Sequence, residues 1–96
     1  MIWQLRTYRL RPGHLDAFLA LWRNHIVPAR QALGFVVKGG WYDEADAVFV
    51  WLIGHEAPNG WEEVEQNYYA SGARENFPED PREHVADVQT RLLVEA

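Results

Sequence analysis

The stretch that decides the fold is Ala47-Val48-Phe49-Val50-Trp51-Leu52-Ile53, an apolar run near the middle of a 96-residue chain. β-Branched and aromatic side chains dominate it, which favours a strand over a helix. Because both faces of such a strand are apolar, we expect it to lie inside a sheet and to be covered on both sides. The run is far shorter than the roughly 20 apolar residues of a membrane-spanning helix.

The preceding strand is predicted over residues 35–42. The polar connection Asp43-Glu44-Ala45-Asp46 has the length of a hairpin loop, so residues 35–42 and 47–55 should pair as antiparallel neighbours. The pair Gly39-Gly40 interrupts the first of these strands. It indicates a β-bulge or a close approach of another group to the backbone.

Another strand is predicted over residues 2–10, which are rich in β-branched and aromatic types and are followed by Pro12-Gly13. Side chains alternate between the two faces of a strand. One face carries Gln4, Arg6 and Tyr8, and the other carries Trp3, Leu5 and Thr7. Because a buried arginine needs an anionic partner, Arg6 makes the first face a candidate site.

The segment between these strands changes to a helical period. Its apolar residues recur at intervals of three and four, as in an amphipathic helix that covers a sheet. These residues are Leu15, Phe18, Leu19, Trp22, Ile26, Ala29 and Leu33. Pro28 lacks the amide that would bond to the carbonyl of Asn24, so we expect a kink or break there. Gly34 is predicted to end the helix.

A shorter helix is predicted after Pro58-Asn59-Gly60. Its apolar stripe consists of Trp61, Val64 and Tyr68. Asn59, with Glu62 three residues later, has the pattern of a capping box. Ser71 is expected to cap one further turn.

The tail completes the fold. Residues 86–94 alternate apolar and polar side chains, although Val85, Val88 and Leu92 also have helical spacing, and we interpret the segment as a strand. The order is then βαββαβ, a ferredoxin-like α+β domain spanning residues 1–96, with a four-stranded antiparallel sheet and helices on one face. The apolar outer face of that sheet needs a cover, and a second copy packed sheet against sheet is the simplest.

Composition limits the class of partner. Hydrophobic residues make up 48% of the chain and aromatic residues 14%, which favours a subunit interface or a ligand pocket. A net charge of −5 with scattered basic residues argues against nucleic acid and anionic membrane. The chain has no cysteine for disulfides or thiolate sites. We expect no signal peptide and, by default, a cytoplasmic location.

Several segments resemble the NIPSNAP-like proteins. The opening Gln4-Leu5-Arg6-Thr7-Tyr8, followed by Arg11-Pro12-Gly13, is similar to the family's Glu-Leu-Arg-x-Tyr strand and Pro-Gly turn. Further similar segments are Leu21–His25 with Pro28–Arg30, Phe49–Leu52, Tyr68–Ser71 with Arg74, and Asp80-Pro81. The resemblance covers nearly the whole chain. One departure is Gln4, which stands where the family usually carries glutamate and removes a candidate base.

The resemblance implies an architecture and a range of activities. The expected architecture is a homodimeric α+β barrel, with a pocket in each subunit between sheet and helices. The wider superfamily includes cofactor-free monooxygenases, lactone isomerases, polyketide cyclases and haem-binding degraders. Fold alone does not choose among these chemistries.

His25, Tyr8 and Arg6 are the candidate catalytic residues. His25 lies beside the predicted helix break and could act as a general acid or base, or could instead cap exposed carbonyls. Arg6 could bind a carboxylate or enolate, with the Tyr8 hydroxyl as a second donor. The alternative for Arg6 is a structural pair with an acidic residue of the tail or of a partner subunit.

The remaining candidates would line the pocket. They are Gln4, Trp22, Trp41, Trp51, Tyr68, Tyr69, Arg30 and Arg74. The aromatic residues could wall a pocket for a flat apolar ligand, or could be plain core and interface. The two arginines could lie at the pocket mouth, although surface salt bridges are the safer interpretation.

No motif indicates a metal or a cofactor. His14, His55 and His84 are far apart in sequence and lack ligand spacing. The chain has no glycine-rich phosphate loop, nucleophile elbow or nucleotide fingerprint.

Two hypotheses about function follow. In the first, the protein binds an apolar or aromatic small molecule and could act on it as a cofactor-independent isomerase, cyclase or monooxygenase. In the second, it is a non-catalytic binding or protein-interaction module that uses the same pocket or the dimer surface.

Overall fold

The computed structural model describes the whole chain, residues 1–96. Its strands are β1 (Ile2–Leu10), β2 (Val36–Asp43), β3 (Val48–His55) and β4 (Val85–Val94). Its α-helices are α1 (Leu15–Leu21), α2 (Val27–Ala32) and α3 (Trp61–Ala70). A π-helical turn, Trp22–Ile26, joins α1 to α2, and two 3-10 turns, Ala73–Asn76 and Pro81–Glu83, lie between α3 and β4.

The sheet has the ferredoxin-like order β2-β3-β1-β4, and every neighbouring pair is antiparallel. β3 is an inner strand, as its apolar sequence predicts. The register places Arg6 opposite Trp51 and Tyr8 opposite Phe49, so these four side chains share the face that the helices cover. The predicted fold class is confirmed, and so is the strand at the tail.

Aromatic rings from α1 and the sheet form the centre of the core. Phe18 packs edge-on against Tyr8, with ring centroids 5.6 Å apart, and against Phe49 at 5.2 Å. All three are buried. Burial of each such side chain contributes about 1.5–3 kcal/mol, which fixes α1 on the inner strands.

The first helix departs from the predicted pattern. It does not break at Pro28, which takes a first-turn position of α2, where its missing amide costs little. The irregularity lies one turn earlier, where the Val27 amide donates to the carbonyl of Trp22. This wide turn shifts the helical phase, because it inserts an extra residue into the repeat. Arg30 is consequently buried and Leu33 is exposed, which reverses the predicted stripe at its end.

The pair Gly39-Gly40 forms both of the predicted features. The register of β2 against β3 shifts between Val37 and Gly39, which is the bulge. A β-carbon on Gly40 would lie 2.8 Å from atoms of both Phe49 and Trp22, so the Trp22 ring requires glycine there. The bulge also reverses the alternation of faces beyond it.

Three local predictions are corrected or refined. The capping box is wrong: Gly60 precedes α3, no side chain caps the helix, and the Asn59 amide donates to Glu63 at 3.3 Å. Ser71 ends α3 with its hydroxyl donating to the Tyr68 carbonyl, and also accepts from the Ala73 amide of the next turn. In the hairpin, β2 ends at Asp43 and β3 begins at Val48, each one residue later than predicted.

The outer face of the sheet carries large apolar side chains. Trp3, Leu5, Trp41, Val50, Leu52 and Leu93 share it by register. Trp41 is 57% exposed. β4 is solvent-exposed along almost its whole length, although it is rich in valine and leucine. None of the three helices has the length and apolar character that a membrane crossing needs.

Candidate functional site

A cavity of about 250 Å³ lies between the helix-covered face of the sheet and α3, beside β4. Its wall combines aromatic and aliphatic side chains with four arginines. The lining residues are Arg6, Tyr8, Ile26, Arg30, Trp51, Tyr68, Tyr69, Arg74, Pro81, Arg82, Val85 and Val88. They come from β1, β3, β4, the π-helical turn, α2, α3 and both 3-10 turns, so the cavity depends on the whole fold.

Arg6 is held on the floor of the cavity by its own strand. Its Nε donates to the Tyr8 hydroxyl at 2.7 Å, and its Nη1 donates to Gln4 Oε1 at 2.7 Å. Burial alone would lower the pKa of Arg6, but the hydrogen bond to the Tyr8 hydroxyl and the nearby Glu65 carboxylate outweigh it, so the pKa lies above its ordinary value. Arg6 therefore stays cationic in the buried site.

Arg30 reaches the same cavity from α2 and is only 2% exposed. Its guanidinium carbon lies 3.8 Å from the Tyr68 centroid and 4.8 Å from that of Phe35, two rings that meet edge to face. Such cation–π contacts stabilise a desolvated arginine by about 2 kcal/mol. Together with the ion pair to Glu65, they hold the guanidinium in the buried position where it lies.

Glu65 is the carboxylate shared by the two buried arginines. Its Oε1 accepts a hydrogen bond from Arg30 Nη1, and its Oε2 lies 3.5 Å from Arg6 Nη1. Trp61 and Tyr68, one turn away on either side of Glu65, are buried, which brings Glu65 to the inner side of α3. The site therefore holds two cations against one anion.

Trp51 and Tyr68 form the aromatic part of the wall. The Trp51 ring lies within 6 Å of both Arg6 and Arg30, and its indole N–H has no hydrogen-bond partner. Burial raises the pKa of Tyr68, and the nearby Arg30 and Arg74 oppose that shift only in part. Tyr68 is therefore a neutral phenol at neutral pH.

Two further arginines lie at the mouth. Asp80 contacts Arg74 at 3.5 Å and Arg82 at 2.6 Å, and it caps the turn that carries Arg82. Hydrogen bonds from the side chain and backbone of Arg82 lower the pKa of Asp80 to about 2. Glu75, Glu79 and Glu83 line the same outer depression, so the mouth, unlike the interior, has no excess of positive charge.

The structure brings together most of the residues predicted for the site. Arg6, Tyr8, Trp51, Tyr68, Tyr69, Arg30 and Arg74 line the cavity. Gln4 adjoins it through its bond to Arg6. Trp22 packs behind Trp51, with ring centroids 5.8 Å apart. The interpretation of Arg30 as a surface ion pair is wrong, because this residue is buried.

Two predicted residues lie elsewhere. His25 packs against Phe77, with ring centroids 5.9 Å apart, and does not line the cavity, because the π-helical turn alters its direction. Trp41 lies on the outer face of the sheet, because the bulge at residues 37–39 reverses the alternation of β2. The structure therefore separates His25 from Arg6 and Tyr8.

Sequence reasoning missed Glu65 and Arg82. A polar residue on a short helix is solvated by default, and nothing in the local pattern marks Glu65 as a partner of β1 and α2. The one available signal was its place between the apolar residues Trp61, Val64 and Tyr68. Arg82 reaches the mouth through a 3-10 turn that has no sequence period of its own.

The histidines form no metal site. His14 and His84, distant in sequence, meet with their Nδ1 atoms 3.0 Å apart, and Glu79 lies 3.2 Å from the other ring nitrogen of His84. His55 accepts from the Ala57 amide and stabilises the turn after β3. No group of three or more potential ligand side chains could hold a metal ion.

Together, the fold and the cavity define a ferredoxin-like α+β protein with a half-open cavity lined by arginine and aromatic side chains. Its architecture is that of the NIPSNAP domain proteins. The match to an uncharacterized NIPSNAP domain protein from Burkholderia xenovorans covers 100% of this chain and 95% of that protein, with a TM-score of 0.83 at 16% identity. The match to a NIPSNAP family protein from Agrobacterium tumefaciens covers 99% of this chain and 92% of that protein, with a TM-score of 0.81 at 17% identity.

A second group of solved structures shares the fold. The match to an antibiotic biosynthesis monooxygenase covers 100% of this chain and 99% of that protein, with a TM-score of 0.74 at 16% identity. No family model and no curated protein matches the sequence. The resemblance predicted from the sequence is thus confirmed at the level of the fold.

Proposed function

We propose that the protein binds a small, largely apolar aromatic molecule in the cavity. The observation that supports this is the composition of the wall: Trp51, Tyr68 and Tyr69 surround a floor made by Arg6 and Tyr8. An apolar wall with a few convergent polar groups is the usual form of a ligand site. The cavity is slightly smaller than the roughly 300–1,000 Å³ of drug-sized pockets, which suits a ligand of one or two rings.

Binding without turnover has the stronger support. No histidine, aspartate or glutamate lines the cavity, and the adjoining Glu65 is engaged by two arginines. A general base must lie within hydrogen-bond reach of the proton that it removes. Gln4, which carries no charge, cannot supply one. The residues at hand favour binding and orienting a ligand over removing a proton from it.

A cofactor-independent enzyme is the second candidate, and Tyr8 is the residue that favours it. Its hydroxyl accepts the bond from Arg6 Nε, which leaves the phenolic proton free to be donated into the cavity. Such a donor beside a guanidinium would stabilise an oxyanion that develops on a bound enol or ketone. The shared fold of an antibiotic biosynthesis monooxygenase is compatible with this chemistry but does not assign it.

A cavity-filling pair of variants tests ligand binding. Val88 lines the cavity from β4, whereas Leu92 lies four residues further along the same face and does not. In a thermal-shift screen of one- and two-ring aromatic compounds, at least one compound should stabilise the wild type and Leu92→Trp but not Val88→Trp. Equal stabilisation of both variants would place binding elsewhere, and no stabilisation of the wild type would refute the proposal.

The enzyme candidate is tested with the compounds found in that screen. Incubation in air, followed by mass spectrometry, should show product with the wild type. Tyr8→Phe should lower the rate about 100-fold or more, as is typical when one oxyanion donor is removed. If a compound binds and is recovered unchanged, the result supports binding without turnover and contradicts the enzyme candidate.

The outer face of the sheet is proposed as the interface of a homodimer. A lone copy exposes apolar residues there, including Leu93 of β4, and a matching sheet would cover them. Trp41 and Tyr42 are adjacent, similarly exposed and on opposite faces of β2. Sedimentation at micromolar concentration should give a dimer for the wild type and Tyr42→Glu, and a monomer for Trp41→Glu. A monomeric wild type would exclude this interface.

A further inference from the structure

The cavity contains more positive charge than its own residues neutralise. Arg6 and Arg30 are buried on its inner side and share the single carboxylate of Glu65. At the mouth, Arg74 and Arg82 contact Asp80 and have further carboxylates nearby, so the excess lies inside. A purely structural ion-pair arrangement would supply one carboxylate for each buried guanidinium, because an uncompensated buried charge is costly.

This excess runs against the charge of the whole chain, which is −5. Basic residues are fewer than acidic ones, yet four of the nine arginines and lysines line one small cavity. Low-dielectric walls focus the field of such charges and concentrate counter-ions of the opposite sign. A cavity of this kind attracts anions and disfavours cations.

The side chains of Arg6 and Arg30 are held inside the cavity, away from anions in the solvent. The Arg30 guanidinium is buried against Tyr68 and Phe35, and Tyr8 and Gln4 hold Arg6 through hydrogen bonds. Arg30 also retains a buried Nε with no hydrogen-bond partner. Trp22 and Trp61 have unpaired indole N–H groups away from the cavity wall, so an unpaired donor alone is not specific to this site. The excess charge is the stronger observation.

The remaining surface of the cavity specifies what the anion is attached to. Trp51, Tyr68 and Tyr69 offer ring faces, and Ile26, Val85 and Val88 offer aliphatic contacts. Flat conjugated ligands stack well on such rings and lose little conformational entropy. A carboxylate accepts hydrogen bonds from a guanidinium in a planar, two-point arrangement.

We infer that the ligand of this cavity is an aromatic carboxylate of one or two rings, with its carboxylate directed at Arg6 and Arg30. This inference rests on the proposed small-molecule binding and adds the charge of the ligand. The carboxylate supplies the second anion that the two buried guanidinium groups lack, and the ring lies against Trp51 and Tyr68.

Matched probes test the charge separately from binding itself. Isothermal titration of the wild type at pH 7.5 with 2-naphthoate and with its neutral isostere 2-naphthamide, and likewise with benzoate and benzamide, compares ligands of one shape. The acid should bind at least tenfold more tightly than the amide. Equal or tighter binding of the amide would refute the inference and leave the proposed function standing. If none of these probes binds, and the thermal-shift screen finds no other ligand, both proposals fail.

A charge variant locates the anion in the cavity. Arg6→Gln should reduce the preference for naphthoate over naphthamide at least fivefold, whereas Arg23→Gln, an equal change of charge on the exposed side of the helix, should leave it unchanged. Circular dichroism identifies any loss of fold in Arg6→Gln. Should that variant unfold, Arg82→Gln at the exposed mouth replaces it and should weaken naphthoate binding at least twofold. An unchanged preference in the folded variant would place the anion elsewhere.

Discussion

Arg6 Nε donates a 2.7 Å hydrogen bond to the hydroxyl of Tyr8, two residues along the same strand. Strand alternation puts both side chains on one face, and the helices above that face bury both. The guanidinium thus gains a fixed orientation from its own strand, before any contact with α3. This short-range pair is the part of the site that the sequence specifies most directly.

Tyr8→Phe should destabilise the protein by about 1–3 kcal/mol, because it leaves a buried donor of Arg6 without its acceptor. Urea unfolding followed by circular dichroism measures the change. Tyr42→Phe is the matched control, since Tyr42 is half exposed and its hydroxyl makes no hydrogen bond, and it should change stability by less than about 0.5 kcal/mol. Equal effects of the two variants would show that the Arg6–Tyr8 bond adds nothing.

Glu65→Gln should be more destabilising, by about 3–5 kcal/mol, because it leaves Arg6 and Arg30 without a counter-charge in a buried site. Glu62→Gln, on the exposed side of the same helix, should cost less than about 0.5 kcal/mol. Urea unfolding again measures both. A small effect at Glu65 would mean that solvent reaches the two guanidinium groups and screens them.

The order of elements follows from local patterns. Alternation in residues 2–10, the apolar run at 47–53 and the helical spacing after Leu15 are each set by short-range geometry. They fix which residues of one element share a face, and therefore place Arg6 beside Tyr8 on β1. The position of Trp51 opposite Arg6 depends on the register of β1 against β3, which no local pattern gives.

The misplacement of His25, Arg30 and Trp41 comes from two irregularities, each of one extra residue. The π-helical turn at Trp22–Ile26 changes the phase of the first helix, which turns Arg30 inward and keeps His25 from the cavity. The bulge in β2 carries Trp41 to the outer face. A periodic pattern cannot reveal such insertions, because they are stabilised by tertiary packing, such as the Trp22 ring on Gly40.

Gly40→Ala should cost about 1–3 kcal/mol through overpacking, since the new methyl would lie 2.8 Å from ring atoms of both Phe49 and Trp22. Gly39→Ala is the neighbouring control. Its methyl would meet only the ring of the exposed Trp41, which can move, so the cost should stay below about 1 kcal/mol. Thermal unfolding of the two variants compares them, and a reversed order would contradict the packing of Trp22 over Gly40.

Asp80 should titrate near pH 2 in the folded protein, below its ordinary pKa of 3.8, because Arg82 donates hydrogen bonds to its carboxylate. A group whose pKa is lower in the folded than in the unfolded state stabilises the fold above the unfolded value, and this contribution is lost as the pH falls from about 4 to about 2. The loss should be small, because the carboxylate is accessible to solvent.

Carbon-detected NMR titration measures the midpoint of the Asp80 titration. Arg82→Ala should raise this midpoint towards 3.8, whereas Arg91→Ala on the outer face of the sheet should leave it unchanged. A midpoint that does not change in Arg82→Ala would show that Arg82 does not pair with Asp80 at the mouth of the cavity.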